Sequence, residues 1–201
     1  MIKRTEIQKI VNDYDDLRIA VLGSHSALEI MDGAKDEGLN TIVFCQKGRE
    51  TPYQRFDRIA DEIMILEKFS DMSSAKNQRM LRATNSIIVP HRSLTAYLGY
   101  NVIENSLKVP IFGNRVLFQA EERGNKKNQY YLLEKAGIEH PKIFKNPKDI
   151  NKPSIVKVQE KKRNLERAFF NVSSFSDYKK KIRRKNKTRY YFKKCFTECY
   201  N

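Results

Sequence analysis

Arg18-Ile19-Ala20-Val21-Leu22-Gly23-Ser24-His25-Ser26 is the stretch that decides the fold. Its first five residues are mostly aliphatic, the pattern of a strand buried on both faces of a parallel sheet. Gly23 permits a tight turn. A helical pattern follows at once, with Ala27, Leu28, Met31 and Ala34 on one face. Ser26 and Glu29 have the spacing of a capping box, and Gly38 ends the run. Such a strand, passing through a glycine turn into a helix amino end, presents N–H groups and a positive dipole end at the carboxyl edge of its sheet. Open α/β sheets take anionic ligands there. Ser24, His25 and Ser26 stand at that edge.

Outward from this stretch the pattern repeats. Thr5-x-x-Gln8 opens a short first helix striped by Ile7, Ile10 and Val11. Thr41–Cys45, Ile63–Leu66 and Ser86–Val89 are further apolar strands, and a polar helix anchored by Met80 and Leu81 follows Ser74. Val109 to Arg115 reads as a short fifth strand and loop. Strands alternating with helices predict an α/β fold with a doubly wound parallel sheet, because the strands lack the polar alternation of a half-solvated antiparallel sheet. A second unit begins near Arg115. It has a helix over Gln129–Ala136 stopped by Gly137, a turn opened by Asn146-Pro147, and a strand pair, Pro153–Gln159 and Ala168–Val172. Ser174-x-x-Asp177 caps a further helix.

The net charge is +15 over 201 residues, but it is local. Residues 1–125 hold 17 basic and 17 acidic side chains, leaving 22 basic and 7 acidic ones for residues 126–201. Lys179 to Lys194 alone carries ten Lys or Arg and no acid. No apolar run approaches the roughly 20 residues that span a bilayer, and the first residues lack a signal-peptide apolar region, so the expected compartment is the cytoplasm, away from membranes. Three cysteines give no framework of pairs, and Cys45 at a strand end is a core thiol.

Three strand-end loops carry the polar chemistry: Ser24-His25-Ser26, Lys47-Gly48-Arg49 and His91-Arg92-Ser93. Taken singly, each is an ordinary solvated loop. Brought to one sheet edge they combine imidazoles, hydroxyls and cations, which suits a phosphorylated small molecule. Lys157 sits inside an apolar strand, where its ammonium must find an anion or reach solvent. On an edge strand it snorkels; in a hairpin beneath a loop it grips nucleotide phosphates. The spacing leaves both open.

Leu22-Gly23-Ser24-His25-Ser26-Ala27-Leu28, Lys47-Gly48-Arg49-x-x-Pro52-Tyr53-x-Arg55-Phe56 and Ile88-Val89-Pro90-His91-x-Ser93 resemble the archaeal formaminoimidazole-carboxamide ribonucleotide synthetase family. So do Glu104-Asn105-Ser106, Val109–Arg115 and Leu132-Leu133-x-x-Ala136-Gly137-Ile138, in order, from about residue 5 to residue 178. The resemblance implies an ATP-grasp ligase of purine (IMP) biosynthesis, with ATP and magnesium as cofactors and aminoimidazole-carboxamide ribonucleotide and formate as partners. It implies activation of formate as formyl phosphate, followed by attack of the amine. It also implies a Rossmann-like pre-ATP-grasp, substrate-binding domain over residues 1–120 and the incomplete first part of an ATP-grasp domain over residues 121–178. By position, His25 and Ser93 match the family's substrate-binding histidine and serine, with Ser24, Lys47 and Arg49 beside them. Lys157 matches the lysine of the ATP-binding region. A homo-oligomer is compatible with all of this.

Two departures stand out. The loop from Val158 to Arg167 has no glycine where many members have a glycine-rich phosphate loop, which leaves Lys161, Lys162 or Arg163 to substitute. The family also runs well beyond 201 residues, so the adenine hinge and the carboxylate magnesium ligands are not located, and the chain is expected not to turn over by itself. Residues 179–201 are expected to be a basic tail, disordered or a poorly packed helix, since like charges repel and bury little apolar surface. A reading-frame slip in an A-rich stretch would write such a segment. The competing function is a non-catalytic nucleotide-binding paralogue or module whose basic tail contacts nucleic acid; nucleic acid is the weaker partner, because Lys/Arg-rich termini are commonly solvated.

Overall fold

The structure, a computed structural model, describes residues 1–122, 125–144, 146–158, 169–187 and 195–199. The chain divides into two compact units, Met1–Phe118 and Gln119–Asn201.

The first unit alternates helices and strands: α1 (Arg4–Asn12), β1 (Arg18–Leu22), α2 (Ala27–Asp36), β2 (Asn40–Gln46), α3 (Thr51–Arg55), β3 (Glu62–Leu66), α4 (Ala75–Ala83), β4 (Ser86–Ile88), α5 (Arg92–Leu98) and α6 (Tyr100–Asn105). The sheet is parallel throughout, in the order β3-β2-β1-β4. Side chains alternate between its two faces. Ala20, Leu22, Ile42 and Phe44 pack with Phe69, Met72, Leu81 and Leu94; Val21, Val43 and Cys45 pack with Ala27, Met31, Tyr53 and Ile59. Both faces of β1 and β2 are therefore covered, as their unbroken apolar runs require. Burial, then the Glu50 carboxylate, pushes the Cys45 thiol up to about 11, so it is a neutral core group.

Local details depart from the sequence expectations. Ser26 does stand at the α2 N-cap, but its side chain caps nothing: its Oγ lies 2.8 Å from His25 Nδ1. The first helix starts at Arg4 rather than being opened by Thr5, because Glu6 accepts the Lys3 backbone N–H at 3.1 Å. Val109–Arg115 is no full strand. One parallel bridge joins Ile111 to Ile88, with the Ile88 N–H donating to Pro110 and the Phe112 N–H to Ile88. Arg115 then fixes the loop, its guanidinium donating to the carbonyls of Ile103, Leu107 and Val109 at 2.8–3.0 Å.

The second unit holds α7 (Gln129–Lys135), β5 (Ile143–Phe144), β6 (Ser154–Val158), β7 (Phe169–Val172), α8 (Phe175–Lys187) and β8 (Cys195–Cys199). Asn128 caps α7 by accepting from the Tyr130 and Tyr131 N–H groups. The expected hairpin forms, Ser154 opposite Val172 and Lys157 opposite Phe169, in an antiparallel sheet ordered β5-β8-β6-β7.

Part of the expected basic tail lies among the described residues. Helix α8 continues to Lys187, and Tyr178 and Ile182, one turn apart, pack on Phe144, Ile150, Val156, Phe170 and Val172. Lys181 pairs with Asp177 at 2.9 Å and donates to the Asn171 carbonyl. Cys195–Cys199 lies between β5 and β6. A count of charges says nothing of such pairing, because strands pair through main-chain N–H and C=O groups, which every composition supplies. Residues 188–194 and 200–201 lie outside the described residues.

Candidate functional site

Strands β2 and β3 lie to one side of β1 and β4 to the other, so the loops after β1 and β4 leave their shared edge in opposite directions. Open α/β sheets place their ligand crevice at such a switch point. Gly23 makes the turn there. A Cβ on it would lie 3.1 Å from the Phe44 carbonyl oxygen, from Val43 and from the Tyr53 ring, so a side chain there would press on β2 and on α3. Ser24 follows half-buried and His25 exposed, with φ at 41°, a strained region for a non-glycine residue.

The loop after β4 meets this turn through two hydrogen bonds, and a third within the loop orients them. His91 Nε2 lies 2.8 Å from the Leu22 carbonyl oxygen at the end of β1. The Ser93 N–H donates to His91 Nδ1 at 3.3 Å, which makes His91 the N-cap of α5. The Ser93 hydroxyl donates to Ser24 Oγ at 3.1 Å. A carbonyl only accepts and a backbone N–H only donates, so the imidazole is the neutral Nε2–H tautomer. Burial above all holds its pKa below the ordinary 6.5, outweighing the Leu22 carbonyl and the Glu29 carboxylate, while His25 works in the same direction as burial.

Two expected residues, Ser24 and Ser93, are thus brought into direct contact, with His25 beside them. Lys47 and Arg49 stand on the same carboxyl edge, after the adjacent strand β2, in a loop turned by Gly48 at φ 84°. Lys47 makes an exposed 3.2 Å ion pair with Glu67, and Arg49 lies 5.6 Å from the centre of the Phe69 ring. No hydrogen bond joins this loop to Ser24 or Ser93 among the described residues. Lys157 belongs to the second unit. It lies on β6, which is flanked by β8 and β7 and so is not an edge strand. Its neighbours Ser154 and Val156 are buried, and strand alternation places Lys157 on the opposite face, half-buried. The cationic substitutes Lys161, Lys162 and Arg163 lie outside the described residues.

The positioning role of His91 was not legible beforehand. Its sequence neighbourhood shows an imidazole next to Ser93, but its partner Leu22 is 69 positions away.

The fold and crevice define the class: a Rossmann-like α/β domain followed by the first part of an ATP-grasp fold. The IMP biosynthesis protein PurP of Thermococcus kodakaraensis matches at TM-score 0.56 and 27% identity, over 76% of this chain and 48% of its own. The carboxyaminoimidazole ribonucleotide synthase of Aspergillus clavatus, complexed with ATP, shares the fold at TM-score 0.58 and 16% identity, over 92% and 47%. The chain belongs to the family described as "Protein of unknown function (DUF1246)", whose model matches residues 19–144. A Methanopyrus kandleri protein named 5-formaminoimidazole-4-carboxamide-1-(beta)-D-ribofuranosyl 5'-monophosphate synthetase is 48% identical to it over 159 residues, 78% of this chain and 44% of the relative. Its namesake in Methanothermobacter thermautotrophicus is 43% identical over 183 residues, 90% and 49%. The chain spans about half the length of the curated relatives it matches.

No group of three or more His, Cys, Asp or Glu side chains among the described residues is placed to hold a metal. No helix among the described residues is long and apolar enough to cross a membrane.

Proposed function

We propose that the first unit binds aminoimidazole-carboxamide ribonucleotide for an ATP-dependent ligase that joins it to formate. The observation that carries this is the pair of hydroxyls, Ser93 and Ser24, held 3.1 Å apart at the sheet's switch point by His91. In this reading the two hydroxyls and the amino end of α2 take the 5'-phosphate, since that helix end presents positive potential to an anion. His25, exposed beside them, donates a further hydrogen bond, and Lys47 and Arg49 add positive charge on the same edge. Lys157 serves ATP in the second unit. Turnover further requires the part of the relatives' length that this chain does not span.

The names of the relatives support the substrate and the reaction, and the crevice chemistry supports the phosphate. Isothermal calorimetry of the whole chain with the ribonucleotide tests the site. Saturable binding that weakens in both His25→Ala and Ser93→Ala is the expected result. No heat, or unchanged affinity in both variants, overturns it. The need for further chain is tested separately by ADP release: release from this chain alone that depends on both formate and ribonucleotide overturns that part.

A further inference from the structure

Helix α1 carries its charges the wrong way round for a helix standing alone. Lys3 is its N-cap and Arg4 its first residue, so two cations sit at the end where the helix dipole is positive. Asp13 is its C-cap, and Asp15 and Asp16 follow at the negative end. All five side chains are exposed. Nothing nearby in the chain repairs this. The Glu6 carboxylate, the acid of the first turn, pairs with the Lys108 ammonium at 3.4 Å. Lys9 stands in the last turn, yet Arg4, Asp13, Asp15 and Asp16 have no side-chain hydrogen bond or ion pair among the described residues. Between the two ends runs an apolar stripe, Ile7, Ile10 and Val11, at helical spacing. No residue of α1 is buried. At its amino end the stripe meets a groove of about 670 Å³ lined by Ile2, Ile7, Ile111 and Val116 together with Lys3 and Arg4.

We propose that this face of α1 is the contact surface for a second copy of the chain, with the two α1 helices antiparallel about a two-fold axis. A two-fold interface needs a surface complementary to itself. Helix α1 has one cationic end, one acidic end and an apolar middle, so turning a second copy end for end meets that condition. Lys3 and Arg4 of each helix then face the acidic end of the other. With the axis crossing midway along the nine-residue helix, Ile7 stands opposite the partner's Ile10, and stripe meets stripe. The groove beside Ile7 extends the apolar contact at each end of the pair. A parallel pair would set like charges side by side. A small anion would satisfy Lys3 and Arg4 but leave the three aspartates as they are, whereas the antiparallel pair answers both ends at once. None of these residues takes part in the serine crevice, so the pairing does not depend on the ribonucleotide reading.

Sedimentation velocity of the whole chain over a range of concentrations tests this. Wild type is expected to show a monomer–dimer equilibrium that weakens as salt is raised, because the end contacts join exposed charges. Lys3→Glu combined with Arg4→Glu sets acid against acid at both ends, and Asp13→Lys combined with Asp15→Lys sets base against base. Each double variant by itself is expected to weaken the dimer roughly a hundredfold. Mixed in equal amounts, the two variants should associate again, since every end contact then joins opposite charges. A folding defect could not give that recovery. A wild type that stays monomeric at every concentration overturns the proposal, because the face then has another occupant. A dimer that neither double variant weakens uses a different surface and overturns it too. Variants that weaken the dimer but do not associate when mixed overturn the antiparallel pairing.

Discussion

Replacing His91 separates the energetics of the crevice from the chemistry of its ligand. In His91→Ala two interactions go. The N-cap of α5 is lost, which costs about 1 kcal/mol. The hydrogen bond to the Leu22 carbonyl is lost as well, but that oxygen keeps the Ser24 N–H at 2.8 Å and is not orphaned, so this loss also stays near 1 kcal/mol. The sum of about 2 kcal/mol corresponds to a fall in Tm of about 4–8 °C for a chain of this length. His91→Asn restores an N-cap acceptor but is too short for Leu22, and should recover about half of the loss. The pH dependence supplies the sign. Because the folded state holds the His91 pKa below 6.5, the unfolded chain binds the proton more readily. His91 therefore costs nothing above about pH 6.5, lowers stability as pH falls below that value, and levels off below the folded pKa. The gap between wild type and His91→Ala should be widest near neutrality and narrow in acid. Urea denaturation of both proteins at about pH 7.5 and about pH 5 measures this. A variant within about 0.5 kcal/mol of wild type at the higher pH, or a gap that does not narrow, would refute the clip.

Other substitutions follow from the same structure. Arg115→Met leaves the carbonyls of Ile103, Leu107 and Val109 without their shared donor and should cost about 3 kcal/mol in urea denaturation, with Arg115→Lys a poor rescue because a point charge cannot reach all three. Gly23→Ala pushes a methyl to 3.1 Å from the Phe44 carbonyl oxygen and should lose about 1–3 kcal/mol together with measurable ribonucleotide affinity. Lys47→Ala breaks an ion pair whose side chains are 67% and 77% exposed, so its Tm should stay put while calorimetry shows weaker ribonucleotide binding that is itself salt-sensitive. Ile182→Ser puts a hydroxyl where α8 meets the second unit's core and should destabilise the chain by about 1–3 kcal/mol; an unchanged unfolding curve would mean that α8 contributes no packing.

Sequence alone determined the parallel sheet, because a strand covered on both faces must be apolar at every position, and Ile19–Leu22 and Ile42–Cys45 are. It placed Ser24, His25, Lys47, Arg49 and Ser93 on strand-end loops for the same reason, since a loop position follows directly from where an apolar run stops. It did not determine which loops face each other. Strand order decides that, and only the β3-β2-β1-β4 arrangement sets Ser93 against Ser24, and His91 against Leu22, across 69 residues of chain. The departures at Ser26 and Thr5 are local: the Ser26 hydroxyl lies against His25, and Glu6 accepts the Lys3 N–H, so the first helix is capped two residues ahead of Thr5. The pairing of Cys195–Cys199 with β5 and β6 joins segments far apart in the chain. Periodicity records what each segment prefers by itself, whereas hydrogen bonds between distant segments exist only once the chain has been brought together.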